Sequence, residues 1–147
     1  MELVRILREG EERQGTAVHC MCHNASRQEL YTGHEDAVIR VWDLQKYKMS
    51  RALLGHSGWV TCLLHRNDSR VLISGSLDMR LIFWDWKGNV LLLWDAGEPV
   101  QCMSWCEITG LLVGESSVGH RSWLFAMCDT ERGRTVGPRA QSGRGPS

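Results

Sequence analysis

From residue 17 onward the apolar positions fall into short runs, broken by clusters of turn formers such as Asn67-Asp68-Ser69 and Lys87-Gly88-Asn89. Runs of this length, bounded in this way, predict β-strands rather than helices. The clearest stretch reads as four strands, at about 59–65, 70–75, 79–86 and 89–94, and an earlier stretch as four more, at about 17–23, 28–33, 37–44 and 48–54. Leu81-Ile82-Phe83-Trp84 and Val90-Leu91-Leu92-Leu93-Trp94 show no polar alternation. Strands apolar on both faces are expected in a sheet sandwiched between two neighbours.

The two stretches are copies of each other. Thr32-Gly33-His34-Glu35-Asp36-Ala37-Val38-Ile39-Arg40-Val41-Trp42-Asp43 lies under Ser74-Gly75-Ser76-Leu77-Asp78-Met79-Arg80-Leu81-Ile82-Phe83-Trp84-Asp85. Upstream, Ala17-Val18-His19-Cys20 lies under Trp59-Val60-Thr61-Cys62. The period is about 40 residues, the interval at which propeller blades recur. A third, fainter copy repeats Val100-Gln101-Cys102, with Gly114 near the expected glycine and Trp123 near the expected tryptophan.

Composition narrows the class. The 147 residues suit one ordinary domain, and 17 basic residues balance 17 acidic ones. A neutral chain carries no overall signature of nucleic-acid or membrane-surface binding. The first residues are too charged for a signal peptide, and no run approaches a membrane span. The six cysteines are therefore expected as reduced thiols of an intracellular protein, cytoplasmic or nuclear. Seven tryptophans in a chain this short call for an architectural reason, which the repeat supplies.

Gly55-His56, then Ser74-Gly75-Ser76-Leu77-Asp78, then Ile82-Phe83-Trp84-Asp85 resembles a complete WD-repeat signature. Thr32 to Asp36 with Val41-Trp42-Asp43 resembles a second, less complete one. The resemblance is strong over residues 14–94 and weak over 95–123. It implies an all-β fold, a partial WD-type β-propeller with two clear four-stranded antiparallel blades and a degenerate third. Repeats are expected at about 14–54, 55–94 and 95–127, within an incomplete propeller over 1–128. The family also implies a hydrogen-bonded network, which by position falls on His56, Ser74, Asp78 and Trp84. Thr32, Asp36 and Trp42 are its counterparts in the first copy, where Gln14-Gly15 stands in place of Gly-His. The third copy has Ala96-Gly97 for Gly-His, Val113 at the hydroxyl position and Ser117 for Asp, so its network is expected to be absent.

His56, Ser74 and Asp78 include the residue types of a hydrolase triad, but they recur as part of a repeat, and no Gly-x-Ser-x-Gly elbow surrounds Ser74. Cys20-Met21-Cys22-His23 has no second ligand pair at zinc-module spacing, and Cys20, Cys62 and Cys102 follow the repeat as small apolar core residues would. The expectation is no enzyme, no metal and no cofactor.

The resemblance implies instead a scaffold that presents rim loops to a partner protein or peptide. Trp59, at the start of an inner strand, with Leu77 and Glu35 just before the turn aspartates, forms the candidate rim. Trp59 has two open readings, a partner contact or packing between blades.

Propellers typically close with about four to eight blades, and three repeats make an arc with uncovered faces. Self-association, pairing with another propeller fragment, and origin as a truncated or splice-derived fragment without independent activity are all open. Leu3-Val4-Arg5-Ile6-Leu7 resembles an outermost blade strand, and 129–147 reads as a disordered Gly/Arg-rich tail. That tail resembles an RNA-binding arginine–glycine segment only loosely, lacking interleaved aromatics, so nucleic acid is an unlikely partner.

Overall fold

The computed structural model describes residues 15–67, 70–107, 110–116 and, for the backbone alone, 122–126. The expected N-terminal strand at 3–7 and the tail at 129–147 lie outside the described residues.

All the regular structure described is β. The first sheet contains β1 (Val18–Asn24), β2 (Glu29–His34), β3 (Ile39–Asp43) and β4 (Lys48–Leu53), in that spatial order. The second repeats it with β5 (Val60–Arg66), β6 (Val71–Ser76), β7 (Arg80–Trp84) and β8 (Val90–Asp95). The third has three described strands, β9 (Val100–Cys106), β10 (Leu111–Ser116) and β11 (Ser122–Ala126). Every pairing is antiparallel.

The sheets stack face to face through their innermost strands, β1 on β5 and β5 on β9. The middle sheet therefore buries both faces, and period-2 alternation divides its side chains between its neighbours. Leu72, Ile82 and Trp84 join Tyr31, Ile39, Val41 and Leu53 on the side of the first sheet. Ile73, Leu81 and Phe83 join Val100 and Leu112 on the side of the third. The apolar run 81–84 is buried throughout, as a sandwiched strand requires.

The run 90–94 behaves differently from the expectation. Val90, Leu91, Leu92 and Leu93 are each about half exposed. β8 is the outer edge of its sheet, and the third sheet ends at β11 among the described residues, one strand short of covering it.

Two glycines set the spacing of the stack. A Cβ on Gly33 would lie 2.5 Å from Cys20 Sγ and 2.6 Å from Val60 Cγ1. On Gly75 it would lie 2.6 Å from Cys62 Sγ and 2.7 Å from Val100 Cγ1. Each glycine opposes a cysteine of its own sheet and receives a valine of the next, so the sheets approach only where a side chain is missing.

Candidate functional site

The connections between strands gather at two ends of the stack. One end holds the β2–β3 and β6–β7 turns and the β4–β5 connection; the other holds the β1–β2, β5–β6 and β7–β8 turns.

At the first end, the middle sheet carries a continuous chain of hydrogen bonds. The Trp84 indole N–H donates to Ser74 Oγ at 2.8 Å. Ser74 Oγ lies 2.7 Å from His56 Nε2, and His56 Nδ1 lies 2.9 Å from Asp78 Oδ2. Asp78 also accepts from the backbone N–H of Ser57 and Arg80, at 2.9 and 3.0 Å, which pins the β4–β5 connection to the β6–β7 turn.

The His56 side chain is 0% exposed and that of Asp78 4%. Burial pushes the imidazole pKa below its usual value, against the opposing pull of Asp78. The Asp78 carboxyl lies below the usual range: burial resists ionisation, but the Ser57 N–H and the His56 hydrogen bond outweigh it. The ring is thus neutral with its proton on Nδ1, and each donor meets one acceptor, from indole to hydroxyl to imidazole to carboxylate.

This geometry cannot serve as a nucleophilic triad. Ser74 is completely buried, and its oxygen is shared between the indole and the imidazole with no approach for a substrate.

The first sheet assembles a different chain from a similar start. Trp42 Nε1 donates to Thr32 Oγ1 at 2.8 Å, but the imidazole 2.8 Å from that hydroxyl is His34, whose Nδ1 lies 3.0 Å from Thr16 Oγ1. Asp36, expected in this network, instead forms a two-pronged pair with Arg40 at 2.8 and 3.1 Å, and accepts from the Val38 N–H at 3.2 Å. The Arg40 hydrogen bond, ahead of opposing burial, holds the Asp36 carboxyl below its usual range. Sequence reasoning missed Thr16, His34 and Arg40. Thr32 and His34 are two residues apart on one strand and so share a face, which was the available signal.

In the third sheet the register corrects the alignment. Val60 faces Ser76 and Val100 faces Ser116, so Gly114 occupies the hydroxyl position of Ser74, and Glu115 the position of Gly75. Leu112 faces Phe125 as Leu72 faces Trp84, which puts Phe125, not Trp123, at the tryptophan position. With neither a hydroxyl nor an indole N–H at these places, the chain of donors has no start.

Among the rim candidates, Trp59 stacks on His19 of the first sheet, ring centroids 4.7 Å apart, and remains 48% exposed. It packs between sheets with one part of its ring and leaves the rest to solvent. The Leu77 N–H donates to the Trp59 carbonyl at 3.0 Å, and Glu35 makes the equivalent bond to Ala17 at 3.2 Å. Glu35 is exposed and Leu77 half-buried.

The thiols divide by position. Cys62 is buried, Cys20 and Cys22 are half-buried, and Cys102, on the uncovered side of the third sheet, is exposed. Burial pushes Cys20 up to about 11 and Cys22 and Cys62 up to about 12.

A family model described as "WD domain, G-beta repeat" matches residues 2–43 and 47–85, more than half the chain. The chain belongs to the WD40 family. An uncharacterised WD repeat-containing protein of Schizosaccharomyces pombe is 39% identical over 56 residues, covering 38% of this chain and 15% of that protein. The mouse (Mus musculus) WD repeat and FYVE domain-containing protein 1 is 30% identical over 105 residues, covering 68% and 26%. The chain thus spans a minor part of the curated relatives it matches. Among solved structures, the β-propeller domain of Myceliophteria thermophila Cps50 (Swd1) superposes with a TM-score of 0.65 at 22% identity, covering 76% of this chain and 35% of that one. A chain of a mitotic checkpoint complex gives 0.68 at 18% identity, covering 76% and 36%. These likenesses establish the fold: the sheets are blades of a partial propeller, in an unclosed row. Among the described residues no helix is long and apolar enough to cross a membrane.

Proposed function

We propose that this WD40 chain is a non-enzymatic protein-interaction scaffold that presents Trp59, Leu77 and Glu35 to a partner protein or peptide. The observation that carries this reading is the exposed half of Trp59, held in place by the His19 stack and the Leu77 backbone bond. A rigid, half-exposed indole offers contact area at low conformational cost, the usual character of a binding hot spot. Selection of peptides from a displayed random library on the full chain tests it. Selected peptides bind Trp59→Ala at least about tenfold more weakly, while its melting curve stays near that of the wild type. Equal binding to the variant overturns the reading.

A second reading draws support from β8, whose four consecutive half-exposed apolar residues exceed what a lone surface strand normally shows. On this reading the chain is a fragment that acts only when another propeller piece, or a second copy, covers that strand. Size-exclusion with light scattering separates the two. A compact monomer supports the scaffold, and a defined dimer or polydisperse aggregate supports the fragment.

A further inference from the structure

The blades interlock by one repeated device. Val60 of the second blade enters the place beside Gly33 where a side chain is missing, and Val100 of the third enters the same place beside Gly75. Each glycine pairs across its own sheet with a cysteine, Gly33 with Cys20 and Gly75 with Cys62. The entering valine holds a fixed register too: Val60 faces Ser76, and Val100 faces Ser116.

The two ends of the row each carry one half of this device. In the first blade the valine position falls on Val18, which faces His34 and is 49% exposed. In the third blade the receiving face keeps much of its character. Cys102 stands at the place of Cys62, Val113 at that of Ile73 and Leu111 at that of Val71. Cys62, Ile73 and Val71 pack in one cluster with Val100 and Leu112 of the third blade, whereas Cys102 and Val113 are exposed. A valine at one end and a matching face at the other would join copies head to tail. Contacts of that kind do not close on themselves and run on into filaments.

One residue breaks the match. Glu115 pairs with Cys102, so it stands where Gly33 and Gly75 stand in the first two blades. The obstruction begins at its Cβ and holds however the rest of the side chain turns. A Cβ at Gly33 would lie 2.6 Å from Val60 Cγ1, and one at Gly75 2.7 Å from Val100 Cγ1, closer than carbon–carbon contact allows. Beyond the Cβ, the exposed Glu115 carries its Oε2 4.0 Å from Cys102 Sγ. A docking blade would take that carboxylate out of water and set it against a valine. Arg40 holds on the first blade the place of Ile82 on the second, and its guanidinium already pairs with Asp36 at 2.8 and 3.1 Å.

We infer that Glu115 is a stop: it keeps the outer face of the third blade from receiving the first blade of a second copy, and so prevents the chain from polymerising end to end. The face it guards is separate from the Trp59 rim and from β8.

Cys102 reports on this face, because a docked blade covers it. Its labelling by iodoacetamide in the full chain, read by peptide mass mapping at two chain concentrations about a hundredfold apart, tests the stop. In the wild type the rate constant agrees within about twofold between the two concentrations. In Glu115→Gly it falls at least about fivefold at the higher one, as mass action requires of a face that copies cover. Val18→Asp added to that variant restores the rate. Glu115→Gln keeps the side chain without its charge and behaves as the wild type. Comparing concentrations within each variant removes any direct effect of the carboxylate on the thiol. Melting curves near that of the wild type accompany all of them, since the same strand position is glycine in the first two blades. The stop is overturned if wild-type Cys102 is protected at the higher concentration, or if Glu115→Gly labels equally at both. Failure of Val18→Asp to restore the rate, or protection in Glu115→Gln, overturns it as well. Association through β8 leaves the labelling of Cys102 unchanged, and loss of peptide binding in Trp59→Ala leaves the stop standing.

Discussion

His34 Nε2 sits 2.8 Å from Thr32 Oγ1, so the first blade fastens Trp42 through a histidine from its own second strand. In the second blade the corresponding imidazole, His56, comes from the connection before the blade's first strand. The same indole–hydroxyl–imidazole order is reached from two different places in the repeat.

His34→Ala therefore destabilises the chain by about 1–3 kcal/mol, the cost of leaving the buried Thr32 hydroxyl and its neighbours short of a partner. Asp36→Ala costs less than Asp78→Ala, because Asp36 pairs with Arg40 outside the chain of donors. Urea unfolding of the three variants checks the order.

Gly75→Ala drives a methyl into Cys62 Sγ and Val100 Cγ1. Overpacking of this kind costs about 1–3 kcal/mol. Adding Cys62→Ala removes one of the two obstructions, so the double variant costs less than the two single changes summed. Strict additivity in a double-mutant cycle would contradict the close approach.

The pH dependence follows from His56. Its pKa is depressed on folding, so between its folded value and the unfolded one, about 6.5, the unfolded chain binds the extra proton. The His56 contribution is full above that upper value and is lost as pH falls through the folded pKa. His65, also depressed by burial, adds a loss of the same sign. Stability measured from neutral to mildly acidic pH falls in the wild type, and His56→Gln shows a shallower slope with the His65 part remaining.

Thiol labelling reads the stack directly. Cys102 is exposed, whereas Cys62 is buried and its thiol pushed up to about 12, so little reactive thiolate forms there at neutral pH. Iodoacetamide alkylates Cys102 at least about tenfold faster than Cys62 in the folded chain, as peptide mass mapping would show. Equal rates would mean that the second and third blades do not pack as described.

Much of the fold was legible because the repeat is written in residues with strict backbone or packing demands. Strand positions in the first two blades follow from short apolar runs between turn formers, and Trp84, Ser74, His56 and Asp78 meet where the family pattern puts them. Features that depend on neighbours were not legible. Val90 to Leu93 read as sandwiched because their sequence is uniformly apolar, yet coverage depends on how far the neighbouring sheet reaches, and its described strands leave them about half exposed. Gly114 and Trp123 drew the third alignment to the wrong register, because identity of residue type outweighed the backbone pairing that only coordinates reveal. His34 was hidden for the opposite reason: it performs the expected task from an unexpected position.

The most direct measurement is equilibrium urea unfolding of Asp78→Ala beside the wild type. If the chain from Trp84 to Asp78 is a fastener, removing its last acceptor strands the His56 N–H and the Ser57 and Arg80 amides, and the stability drops by about 2–4 kcal/mol. An unchanged midpoint and slope would contradict it.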